Sequence, residues 1–345
     1  MFKIKLPKID FRHLKALTDE TGIVHHTAFS IPERREGYTT DDNARALIAC
    51  VKYTEMFNDS GVDKLIGIYL SFLLYMQKND GRFHNMLSYE RKFIEEEESE
   101  DSIGRTLMAC GYTMNSNVND DYKTLAKQIF DEALPWAFKF TSPRAKAFTI
   151  LGLDQYYRAF PKDQNIKRNM KTLGHRLKEQ YHNISIKEWK WFEPYLTYEN
   201  AVLPQAMFTL FDVLRDDTDL SIAEESFNFL VEVQIKNGTF HPIGNRGWYK
   251  RGGERAFYDQ QPIEAASMVE SAVEGFTATD EERYRKIAKI AFDWYLGNNS
   301  QGTAVYNTET GVCYDGLTPE GLNRNQGAES IITYLIARLT LEKIG

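Results

Sequence analysis

Apolar positions along this chain fall into two kinds of helical run that alternate from end to end. The first kind is apolar almost all round. From Asp42 to Phe57 it carries Ala44, Leu47, Ile48, Cys50, Val51, Tyr53 and Met56, which predicts a helix enclosed on most sides. The second kind is apolar on one face only, as with Tyr122, Leu125, Ile129, Ala133 and Trp136 between Asp120 and Phe138. Runs of the first kind begin near residues 42, 102, 143, 198, 260 and 325. Runs of the second kind cover about 62–77, 120–138, 165–181, 221–236 and 281–295, and a short helix over Phe11–Leu17 makes a twelfth.

Successive starts of the near-apolar runs lie roughly 40 to 65 residues apart, one helical hairpin plus a variable loop for each of about six units. Two one-sided runs even end alike, in QKNDGRFHN (77–85) and QIKNGTFHP (234–242). Near-apolar helices inside one-sided helices predict an all-α fold, an (α/α)6 barrel or toroid of six hairpins. It is expected to form a single domain over residues 1–345, with residues 1–37 closing the ring and covering its mouth. An open solenoid is the competing architecture. It fits less well, because the loops before the near-apolar helices are long, irregular and chemically loaded. Thr40 or Asp41 is the expected N-cap of the first such helix, and Ser142-Pro143 that of the third. The segment Thr-Ala-Phe-Ser-Ile near the N-terminus reads as a strand or a mouth-crossing piece. The acidic run Glu95–Glu100 reads as a solvated loop, and the last long loop is expected to hold a short hairpin.

Composition narrows the class. Apolar residues make up 42% and charged residues 26%, ordinary for a globular protein with a substantial core. Aromatics reach 13%, which suits either that core or an aromatic-lined cleft. A net charge of −7 gives no general attraction to nucleic acid or anionic lipid. Cys50, Cys110 and Cys313 are far apart and in no metal-ligand spacing, so buried thiols in a reducing compartment are expected. No apolar run nears the ~18 residues of a membrane span, and MFKIKLPKID has no signal-type apolar core. These features predict a cytoplasmic protein with no metal and no cofactor.

In a ring of hairpins the inner helices start on one face, so the six loops before them converge over one cavity. Those loops hold Asp41, Asp42, Glu100, Asp101, Trp189, Trp191, Glu193, Tyr195, Glu199, Trp248, Tyr249, Tyr258, Asp259, Glu264, Arg324 and Glu329. Aromatic faces stack on the CH groups of pyranoses while carboxylates bind hydroxyls, so an oligosaccharide or glycoside is the expected ligand. The organisation, together with TTDDNAR, SEDSIGR, WFEPYLTYENAVLPQA and YDQQPIEAA, resembles the six-hairpin glycosidase-like superfamily of (α/α)6 barrels. The resemblance covers nearly the whole chain and implies a carbohydrate-active enzyme, with no catalytic residue carried over from it.

A glycoside hydrolase needs two carboxylates, one protonated and one ionised. Inverting chemistry, usual in that superfamily, sets the pair about 6.5–9.5 Å apart to hold a water, so adjacent Asp41 and Asp42 are not themselves the pair. The expected catalytic set is Asp41 or Asp42 with Glu193, Glu199 or Asp259, Glu193 suiting the general acid. Arg34, Arg35, Trp189, Trp191, Tyr195, Trp248, Arg255, Tyr258, Glu264 and Arg324 are expected to bind substrate. The loop cations, which also include Arg246, Lys250 and Arg251, either bind an anionic group or pair with loop acids. Inorganic phosphate as that anion would make the enzyme a phosphorylase. A sugar epimerase on the same barrel would use His25, His26 or His241, with His84 and His241 expected on the face opposite the acids. A non-catalytic sugar-binding or scaffold protein is the remaining alternative.

Overall fold

Side-chain burial sorts the helices into the two kinds that the sequence predicts. The computed structural model describes residues 6–94 and 99–345; Glu95–Glu98, most of the acidic run expected to be a solvated loop, lies outside them. Along the chain the helices are α1 (Arg12–Leu17), α2 (Thr40–Phe57), α3 (Asp63–Met76), α4 (Glu100–Met114), α5 (Asp120–Ala137), α6 (Pro143–Ala159), α7 (Gln164–Ile184), α8 (Val202–Leu214), α9 (Asp217–Gln234), α10 (Pro262–Thr279), α11 (Glu282–Asp293) and α12 (Ala328–Leu341). The near-apolar set α2, α4, α6, α8, α10 and α12 begins within four residues of each predicted start. The chain divides into two compact units, Leu14–His175 and Met1–His13 with Arg176–Gly345.

In the unit Leu14–His175, α4 is buried at every residue from Ser102 to Met114 and α6 from Pro143 to Asp154. Their partner α5 buries one stripe, Ala126, Ile129, Phe130, Ala133 and Ala137, at the spacing of a single helix face. The two inner helices approach backbone to backbone through glycines. A Cβ on Gly111 would lie 2.4 Å from the Gly152 carbonyl oxygen, and one on Gly152 would lie 2.6 Å from that of Leu107. Gly152→Ala is therefore expected to destabilise the protein by about 1–3 kcal/mol, the strain of overpacking outweighing the roughly 1 kcal/mol that alanine gains over glycine in a helix. An unchanged urea midpoint would show that the helices separate without cost.

Short strands tie loops to the inner helices of this unit. A hairpin pairs β1 (Thr27–Ala28) with β2 (Ile31–Pro32), and a three-stranded sheet orders β3 (Tyr38–Thr39), β4 (Met86–Leu87) and β5 (Phe93–Ile94). Tyr38 faces Leu87 and Thr39 faces Met86. This pairing holds Thr39 extended, at φ −112° and ψ 147°, and makes it the N-cap of α2 in place of Thr40 or Asp41: its Oγ1 accepts the Asp42 N–H. Ser142 caps α6 as expected, accepting the Ala145 N–H.

In the other unit α8 packs on α9 and α10, and α10 on α11 and α12. The strand β6 (Tyr195–Leu196) is the partner of β9 (Tyr249–Lys250), while β7 (Ile235–Lys236) and β8 (Thr239–Phe240) form a hairpin. The last long loop contains two hairpins where one was expected, β10 (Tyr306–Asn307) with β11 (Val312–Cys313) and β12 (Gly316–Thr318) with β13 (Gly321–Asn323). The β7–β8 turn puts Asn237 and Gly238 at positive φ, the geometry that favours an Asn-Gly pair. All three cysteines are buried, and burial pushes each thiol well above its ordinary range. No described helix is long and apolar enough to cross a membrane.

Candidate active site

Consecutive residues of a helix point about 100° apart, and this separates Asp41 from Asp42. Asp42 has no exposed surface. Its Oδ2 meets His25 Nδ1 at 2.5 Å and accepts the Thr39 hydroxyl at 2.8 Å, and its Oδ1 accepts from Arg45 Nη2 at 3.0 Å. Burial alone would raise the pKa of this carboxyl, but the neighbouring His25 and Arg45 and the Thr39 hydrogen bond outweigh it and hold it well below 3.8. The Asp41 side chain is 29% exposed; its Oδ2 pairs with Arg45 Nη2 at 2.6 Å and its Oδ1 with Arg105 Nε. Arg105 comes from the second turn of α4 and lies over the Phe148 ring of α6, 4.2 Å from its centroid. One turn of α2 thus presents one carboxylate outward and uses the next to fix an imidazole.

The approach to α2 carries Arg34 and Arg35. Arg35 pairs with its neighbour Glu33 at 2.7 Å, and Arg34 lies 5.8 Å from the centre of the exposed Tyr89 ring. The acids in the first turn of α4 are half-buried and engaged: Glu100 accepts the Ser142 N–H at 2.6 Å and Asp101 the Ser142 hydroxyl at 2.9 Å, so both brace the start of α6. His84 corrects one expectation. Its carbonyl accepts the Thr40 hydroxyl at 2.6 Å, which puts the Phe-His ending of α3 at the same end as Asp41 and Asp42, not opposite. His241 behaves likewise within its own unit, its carbonyl accepting from Arg255 in the loop before α10.

In residues 176–345 the aromatic loop before α8 turns most of its bulk inward. Trp189 is 3% exposed and Trp191 is fully buried. Trp189 meets Phe229 and Tyr249 edge-on, and its Nε1–H donates to the Glu193 carbonyl at 2.7 Å. These rings shape the loop and leave no open face for a sugar. Tyr195 and Tyr198 are exposed, and Trp248 and Tyr258 partly so. Glu193 and Glu199 are both 8% exposed, and Glu199 adopts a left-handed φ of 45°. Glu264, at the start of α10, is 2% exposed and fixes that turn: Oε1 accepts the Glu199 N–H and Oε2 accepts from Asn200 Nδ2 at 3.0 Å.

The loop before α10 is held by Arg255, which donates to the carbonyls of Val233, His241 and Pro242. Burial brings its pKa down to about 10. Gly244 lets this loop close, since a Cβ there would overlap the Tyr258 carbonyl oxygen at 2.0 Å. Asp259 pairs through Oδ2 with Arg246 at 3.2 Å, while its Oδ1 is buried without a hydrogen-bond partner among the described residues. Arg251 donates to the Ile184 carbonyl, Arg324 is exposed and Glu329 half-buried. Of the loop cations, Arg35, Arg246, Arg251 and Arg255 are therefore engaged by protein groups.

The residues that sequence reading passes over are Thr39, Arg45, Arg105 and Asn200. A signal for two of them was present. TTDDNAR and SEDSIGR each place an arginine four residues after an acid, the spacing of a same-face ion pair. Asp41–Arg45 is such a pair, and Arg105 turns to Asp41 as well.

No family profile and no curated protein matches the sequence. Solved structures do match in shape. D-mannose isomerase aligns with a TM-score of 0.74 at 12% identity, over 96% of this chain and 95% of that one. Cellobiose 2-epimerase from Bacillus thermoamylovorans aligns with a TM-score of 0.73 at 11% identity, over 96% and 95%. An inactive variant of the GH76 α-1,6-mannanase from Salegentibacter sp., with two consecutive aspartates replaced by alanine and α-1,6-mannotetrose bound, aligns with a TM-score of 0.66 at 11% identity, over 96% and 95%. At these identities the likeness is one of fold. The fold is an (α/α)6 barrel, as its alternating helices predict.

Proposed function

We propose that this chain is a carbohydrate-active enzyme, a glycoside hydrolase that cleaves an oligosaccharide with Asp41 as a carboxylate presented to substrate. The observation that carries the reading is the division of labour at the start of α2. Asp42 is enclosed and braces its surroundings, whereas Asp41 keeps exposed surface between two arginines. A mannanase of the same fold is inactive when two consecutive aspartates are replaced, and it binds mannotetrose in that form. That supports α-1,6-linked mannooligosaccharides as the first substrates to try. Within residues 176–345, Tyr195, Tyr198, Trp248 and Tyr258 are among the aromatic groups that retain surface. Trp189, Trp191, Arg255 and Glu264 act in this reading by positioning loops. The engagement of most loop arginines by protein groups weighs against an anionic substrate and against phosphorolysis.

The contact between His25 and Asp42 favours a second reading, an epimerase or isomerase, because moving a proton at carbon calls for a base that titrates near neutrality. Cellobiose 2-epimerase and D-mannose isomerase share the fold. One experiment separates the two. The protein is incubated in D2O with α-1,6-mannooligosaccharides, cellobiose and mannose, and products are followed by NMR. Release of new reducing ends without deuterium at carbon 2 is expected. Deuterium at carbon 2 with the glycosidic bond intact would replace the hydrolase with the epimerase. The same assay on Glu193→Gln, Glu199→Gln and Asp259→Asn asks which of these acids the reaction uses.

A further inference from the structure

Resting on the hydrolase reading, we infer that Arg105 is the positioning residue for Asp41. Laid on the Phe148 ring, it fixes the plane in which that carboxylate is offered to substrate. Asp41 and Arg45 stand one turn apart on α2, and their contact joins Oδ2 to Arg45 Nη2 at 2.6 Å. A contact to one oxygen alone leaves a carboxylate free to turn about its Cβ–Cγ bond, where the torsional preference is broad. The second oxygen, Oδ1, meets Arg105 Nε, which arrives from another inner helix. Two cations from two helices, one on each oxygen, remove that rotation while the Asp41 side chain stays 29% exposed.

Arg105 is itself held by the way α4 and α6 meet. A Cβ on its neighbour Gly104 would lie 2.8 Å from the Ala145 carbonyl oxygen, so α4 runs close against the first turn of α6. Phe148 follows Ala145 by about one turn of the same helix. The Arg105 guanidinium carbon sits 4.2 Å from the centre of the Phe148 ring, and both residues are buried. A planar, delocalised cation gains from lying on an aromatic face, and the face restricts the plane of the group. The third inner helix thus orients Arg105, the second carries it, and the carboxylate on the first receives it. Orientation of this kind acts on rate, because a misplacement of about 1 Å at a reacting group costs on the order of 10²-fold.

A double-mutant cycle on the turnover of α-1,6-mannotriose tests the role. Arg105→Gln is expected to lower kcat by about 10- to 10²-fold and to leave KM within about three-fold, the pattern of a misaimed reacting group. In an Asp41→Asn background the same change should cost less than about three-fold, because the carboxylate that Arg105 aims is gone. Arg105→Lys keeps the charge but not the planar group, so it should lose less than Arg105→Gln and stay below wild type. Phe148→Leu leaves both charged partners in place and should lower kcat in the same direction, again only while Asp41 is present. Equal losses in both backgrounds would mark a residue that merely joins helices, and overturn the proposal. So would wild-type turnover in Arg105→Lys, or an unchanged kcat in Arg105→Gln. Should Arg105→Gln not fold, the Phe148→Leu cycle decides in the same terms. A wild-type protein that hydrolyses no glycoside, or an Asp41→Asn variant that keeps its activity, overturns the hydrolase reading and this role together. Wild-type turnover with additive losses overturns the role of Arg105 alone, so the two failures are distinct.

Discussion

Asp41→Asn is expected to reduce kcat/KM on the best oligosaccharide by about 10³- to 10⁴-fold, with most of the loss in kcat. The amide keeps the size of the carboxylate and one acceptor oxygen, so shape and part of the Arg45 contact survive. Under the proposed hydrolase reading, what it removes is the ability to take a proton from water and the negative charge beside a developing oxocarbenium ion. Arg45 retains Asp42, and Arg105 retains the Phe148 ring, which limits structural damage. Thermal unfolding should therefore change far less than turnover. Activity above about a tenth of wild type would be incompatible with Asp41 as the reacting carboxylate, since proton transfer of this kind is worth at least about 10².

Asp42→Ala should act in the opposite sense, on stability first. The substitution strips a fully enclosed anion from Arg45 and His25, and breaking a buried pair from one side costs about 3–5 kcal/mol. Urea unfolding at neutral pH measures it. The effect must also depend on pH with a definite sign. The folded carboxyl is held below its ordinary 3.8, so its contribution is complete above that value and is lost as pH falls through it toward the folded value. The stability gap between wild type and Asp42→Ala should accordingly narrow below about pH 4, by the same linkage. A gap that is flat with pH would mean that Asp42 contributes packing and not charge.

Much of this fold could be read from apolar spacing, because a helix buried all round and a helix buried on one face differ in every turn. The cap of α2 escaped by one residue. Nothing local in Tyr-Thr-Thr says that β4 will hold Thr39 extended, since its partner lies more than forty residues away. The aromatic loop was opaque for a different reason: Trp189 and Trp191 look the same in a sequence whether they line a cleft or fill a core. The placement of His84 was within reach. A hairpin returns its outer helix to the end where the next inner helix starts, so chain direction alone puts the Phe-His ending beside the acids. The unlike surroundings of Asp41 and Asp42 follow from helix rotation, but which of the two turns inward depends on Thr39 and His25, and these are set by pairing across the chain.

Glu264 has a consequence for how such a protein can change. One carboxylate on α10 grips both the Glu199 backbone and the Asn200 side chain, so the turn before α8 takes its shape from a different hairpin. A lengthened or shortened turn would leave the carboxylate without its donors, and a replaced Glu264 would leave the turn without its mould. The shape of that turn can therefore not change alone. The two segments form one inheritable cassette, and a chimera that borrows either from another barrel must borrow both.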